Sequence, residues 1–254
     1  MQNNISLITE SVRSASKFLR RDYFELENLQ SSKKNTKFFV AKAKNRVIEN
    51  LQKSLSHHYK VIVIDNEISL KDLIFSDYAV LVKILDGEKN FERAIPFFAI
   101  VLTIITKKND ENIANKVIIN FPLLGDTYYA EQGKGSWVER NSSNFSIGAT
   151  RLRVSTKDKI EDSLICCNYS ELLLAEKISP NIRIFESCAY QLSLLTSGKV
   201  DVVLFKNNSI WMQGFQLLTR EAGGMSYIHN DTFIASNYQL EEKIKETIAS
   251  FSNN

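Results

Sequence analysis

A chain of 254 residues has room for one large domain or for two lobes that share a core. Its 44% hydrophobic and 24% charged content is that of an ordinary globular protein. A formal net charge of +3 is too small to argue for nucleic acid by itself.

The predicted elements alternate along the chain. Apolar residues at Ile8, Val12, Ala15, Phe18 and Leu19 have helical spacing and predict a helix over 5–30. A polar run separates it from a second helix over 40–55, with Val47, Ile48 and Leu51 on one face. Strands are predicted over 61–64, 79–85, 97–106 and 116–121. Residues 128–130 and 135–138 flank a Gly-Lys-Gly turn and read as a hairpin with Tyr128, Tyr129 and Trp137 in its core. The polar stretch 139–150 reads as a loop between an N-terminal lobe, 1–147, and a C-terminal lobe, 148–254. Beyond it follow a strand over 163–167, a helix over 172–178 and a strand over 182–185. A helix over 188–196, a strand over 200–205 and a helix over 212–221 come next, the last stopped by Gly223-Gly224. A strand over 225–229 and an amphipathic helix over 240–251 close the pattern, with His229 read as a loop residue.

Several features argue against other classes. Cys166, Cys167 and Cys188 are odd in number and lack metal-ligand spacing, so they read as buried thiols of a reducing compartment. The start, Met1-Gln2-Asn3-Asn4, has no basic segment followed by an apolar one, and the longest apolar run, 94–105, is too short to span a bilayer. A cytoplasmic protein is expected. His57 and His58 read as a surface pair at a helix C-terminus, and Arg20-Arg21 and Lys33-Lys34 as solvated faces. Ser187 beside Glu186 has no G-x-S-x-G context, so no hydrolase triad is expected.

Three stretches carry a resemblance. The first is Lys83-Ile84-Leu85-Asp86-Gly87-Glu88-Lys89-Asn90-Phe91, followed by Ile95-Pro96-Phe97-Phe98-Ala99. The second runs from Tyr128 through Gly133-Lys134-Gly135 to Trp137. The third is Ser197-Gly198-Lys199-Val200-Asp201, then Trp211, then Glu221-Ala222-Gly223-Gly224. In order and spacing they resemble the inositol monophosphatase family, the group that includes SuhB-like proteins. Its motifs read Asp-Pro-Ile/Leu-Asp-Gly-Thr-x-Asn-Phe, Ala-x-x-Gly-x-Gly-Ala, Ala-x-Gly-x-x-Asp, Trp-Asp and Glu-Ala-Gly-Gly. The resemblance covers nearly the whole chain. It implies an α/β fold, a layered αβαβα sandwich with mixed sheets, often a homodimer, and Mg²⁺-dependent hydrolysis of a phosphate monoester on a small polyol.

Such hydrolysis needs Mg²⁺ held by hard oxygen ligands, mainly carboxylates. By resemblance Glu67 is the first metal-binding Glu, and Asp86 is the second Asp of Asp-x-x-Asp-Gly-Thr, with Leu85 beside it among the residual metal positions. Glu67, Asp86 and Glu88 stand at catalytic positions; Gly87 and Ser187 stand at substrate-binding ones. The other positions depart. Lys83 replaces the first Asp, Glu88 the Thr, and Met212 the Asp after Trp211. Ala41 and Lys44 fall where Thr and Asp are expected, Phe205 falls near a Glu that contacts the polyol, and Glu186 stands where Gly is usual.

A Lys beside the metal position sets one positive charge against two. At about 4 Å and an effective dielectric of about 20 that repulsion is about 8 kcal/mol, and the lost carboxylates deepen it. Weak or absent Mg²⁺ binding is expected. The Lys83 ammonium either takes the metal's place between Glu67 and Asp86 or turns outward; its apolar neighbours favour the first. The expected function is a SuhB-like protein with lost or strongly reduced phosphatase activity and a binding or scaffold role, its partner by resemblance a protein of the transcription apparatus. The alternative is an active monoesterase on inositol phosphate or a similar sugar phosphate, with Glu88 replacing a lost ligand.

Overall fold

The computed structural model describes residues 5–29, 36–63, 78–108, 111–142, 145–206 and 212–252. Among them three helical layers alternate with two mixed sheets, the αβαβα sandwich. The first layer holds α1 (Ile5–Leu29) and α2 (Thr36–Leu55). Their apolar stripes, Ile8, Val12 and Leu19 on one and Val40, Val47 and Leu51 on the other, are buried against the first sheet.

That sheet runs in chain order: β1 (Lys60–Val63), β2 (Tyr78–Asp86), β3 (Ala99–Lys108), β4 (Glu111–Asn120), β5 (Asp126–Glu131), β6 (Gly135–Ser142) and β7 (Phe145–Arg151). Only β1 and β2 pair in parallel; the rest is an antiparallel meander. A five-residue helix, α3 (Glu88–Glu92), leads from β2 toward β3.

The second sheet has the order β11-β12-β10-β8-β9. Its members are β8 (Ile165–Cys167), β9 (Ile182–Ile184), β10 (Val202–Lys206), β11 (Gly224–His229) and β12 (Thr232–Asn237). Between the sheets lie α5 (Cys188–Thr196) and α6 (Met212–Glu221), with Leu192, Leu195, Phe215 and Leu218 packed on Val117 and Ile119 on one side and Val203 and Phe205 on the other. The outer layer, α4 (Leu172–Ile178) and α7 (Tyr238–Ser252), covers Val202, Leu204 and Ile234. No described helix is long and apolar enough to cross a membrane.

The elements depart from the sequence reading in three places. The polar stretch 139–150 is not a loop: β6 extends through Ser142 and pairs with β7, with Trp137 opposite Arg151. Strands at the end of a sheet tolerate polar side chains that a central strand would not. His229 is not in a loop either; it ends β11 and pairs with Thr232 of β12, which the reading lacked. The two strands turn on Asn230 and Asp231, both left-handed at φ 44° and 62°, the geometry of a tight hairpin turn. The third omission is α3, too short to show a periodicity.

Cys166 and Cys167 project from opposite faces of β8 into different cores, which is why neighbours in sequence stay apart. Burial pushes their thiols up to about 12 and about 11, so both are inert at neutral pH.

Candidate functional site

The site begins with an irregularity in β2. Its register against β3 shifts between Lys83, opposite Val101, and Asp86, opposite Ala99. Regular alternation would put Leu81, Lys83 and Leu85 on one face. The bulge breaks that pattern, so Ile84 and Leu85 both bury their side chains in the core under α1 and α2. Asp86 is thereby aimed at the N-terminus of α5.

Asp86 is 3% exposed. Its Oδ2 accepts the Ser187 hydroxyl at 2.6 Å and the Ala189 N–H at 2.9 Å. The first turn of a helix has N–H groups without intrahelical partners, and a carboxylate there also meets the positive end of the helix dipole. Asp86 fills that role from another element, while the N-cap Ser187 accepts the Tyr190 N–H through its own Oγ. Burial pushes the Asp86 carboxyl up; Ser187, the Lys83 charge and the Ala189 N–H pull the other way. Lys83 is half-buried, and its charge is felt at both Asp86 and the Cys188 thiol, which burial pushes well up.

Gly87 follows in a left-handed conformation, φ 79°. A Cβ there would stand 2.5 Å from the Phe97 carbonyl oxygen and 3.2 Å from the Ser187 side chain, so only glycine fits. Asn90 secures the same corner: its Nδ2 donates to the carbonyls of Phe97 and Phe185, each at 2.8 Å. Glu88 points elsewhere. It is exposed and forms an ion pair with Lys44 of α2, Nζ to Oε2 3.1 Å. The sequence reading singled out both residues as departures and did not foresee that they meet. Opposite signs at two changed positions were the available signal.

The remaining candidates fall into the core or onto the surface. Met212 is 3% exposed and Phe205 fully buried in the middle core, Phe205 stacked on Phe233 at 4.9 Å. Ala41 is exposed on α2. Glu186 has φ 51°, the left-handed conformation that a glycine would hold more easily, and its Oε1 accepts the Tyr169 N–H at 2.8 Å. Of the hairpin residues, Tyr128 is buried, whereas Tyr129 and Trp137 are partly exposed. Glu67 and Trp211 lie outside the described residues. Among the described residues no three of His, Cys, Asp and Glu are gathered closely enough to hold a metal ion.

Two other motif carboxylates hold joints of the fold. Glu221, ending α6, accepts the Gly133 N–H on Oε1 and the Gly135 N–H on Oε2, each at 2.9 Å. Asp201 accepts the Ser155 hydroxyl at 2.6 Å and the Leu164 N–H at 2.8 Å.

Comparison with known proteins agrees with this architecture. The sequence profile of the Inositol monophosphatase family matches residues 1–249. An inositol-1-monophosphatase of Caulobacter vibrioides is 24% identical, over 94% of this chain and 98% of its own length. The Nus factor SuhB of Escherichia coli K12 is 22% identical, over 96% of this chain and 91% of its own. Among solved structures, the extragenic suppressor protein SuhB of Bartonella henselae superposes with a TM-score of 0.75 at 24% identity, covering 96% of this chain and 98% of that one. Mycobacterium tuberculosis SuhB gives 0.76 at 16% identity, with 97% and 95% covered.

Proposed function

The chain belongs to the inositol monophosphatase family, and we propose that it keeps the family's fold, has lost most or all Mg²⁺-dependent phosphatase activity, and acts by binding a protein partner. The observation that carries this reading is Asp86. One of its oxygens already takes two short hydrogen bonds, its burial favours the neutral acid, and a lysine charge stands beside it. Mg²⁺ is bound through ionised hard oxygens. The described donors do not fit it. Lys83 contributes a cation at one expected ligand position and Met212 a buried thioether at another. Leu85, whose side chain is buried among apolar residues, has only a backbone carbonyl to offer.

Support for a partner comes from relatives named Nus factor SuhB, which favour a protein of the transcription apparatus. The retained motif residues fit this reading as well, because Gly87, Asn90, Asp201 and Glu221 all close joints of the fold. The test combines Mg²⁺ titration by calorimetry with phosphate release from inositol-1-phosphate. The expected result is heat of dilution alone and no release above background. Saturable Mg²⁺ binding, together with phosphate release that Asp86→Asn abolishes, would overturn the proposal.

A further inference from the structure

We draw no further inference here: the strongest candidate, the partly exposed aromatic surface patch of Phe97, Phe185 and Tyr190 beside the edge strand β9, is an apolar face, and nothing in the described residues shows what covers it.

Discussion

Asp86 and Glu221 are both carboxylates from the motifs that carry the resemblance, and both accept two hydrogen bonds from a separate element. They differ in how. Asp86 gathers a hydroxyl and an N–H on one oxygen, in a corner 3% exposed to solvent. Glu221 gives one oxygen to each glycine N–H of a surface turn. By resemblance only Asp86 belongs to a metal set, yet its visible role here is the same as that of Glu221, closing the end of a backbone segment. A motif residue can therefore serve the fold directly, apart from any metal chemistry, and the two corners respond differently when that closure is removed.

The largest effect is expected at Asp86. Asp86→Ala strands the Ser187 hydroxyl and the Ala189 N–H in a buried corner and should destabilise by about 3 kcal/mol, measured by urea unfolding. Asp86→Asn keeps one carbonyl oxygen where both donors converge and should stay within about 1 kcal/mol of the parent. The pH dependence sharpens the contrast. In the folded chain the Asp86 carboxyl is raised above its ordinary value of 3.8. Below that value the folded and unfolded chains are equally protonated, and the contribution of the bound proton is fully present. As pH rises from there through the raised value, the unfolded chain releases the proton first, so stability falls. The parent should therefore lose ground to Asp86→Asn across that window. A difference that stays flat with pH would remove the buried-acid description.

Glu221→Ala should cost less, about 1–2 kcal/mol, because one of its two hydrogen bonds is exposed and water can replace it. Glu221→Gln should retain part of the closure through its single carbonyl. Amide exchange should quicken at Gly133 and Gly135 while the Ala189 amide keeps its protection. Equal loosening at both corners would mean that they are one cooperative unit, and the comparison would fail.

Much of this was legible in the sequence, and the losses have physical causes. α1, α4, α5 and α6 follow helical spacing that burial repays, so their spans agree with the apolar pattern closely. The hairpin of β6 and β7 was hidden because its exposed positions carry polar residues, and β12 because Asn230-Asp231 turns the chain within two residues. At the site, the positions of Asp86 and Gly87 came from the motif, but the bulge that aims Asp86 at α5 has no signature in a run of apolar residues. Nor could spacing along the chain show that Lys44 and Glu88 would touch, since that contact depends on how α2 packs over β2.

The Lys44–Glu88 pair carries the smallest expected effect. Its side chains are 19% and 45% exposed, so solvent screens much of the attraction. Lys44→Ala or Glu88→Ala should each cost less than about 1 kcal/mol, with a coupling of about 0.5 kcal/mol in a double-mutant cycle that fades in high salt. Geometry is the more telling quantity. Both residues occupy positions where the resemblance places uncharged or acidic side chains, and they meet across α2 and α3. If that pairing compensates for the changed positions, reversing it with Lys44→Glu and Glu88→Lys together should recover the parent's stability, whereas Glu88→Lys alone sets two ammonium groups together and should be the worst of the set. Equal stability for the single and double reversals would mean that the two charges do not recognise each other, and the site would then be two independent substitutions rather than one rebuilt contact.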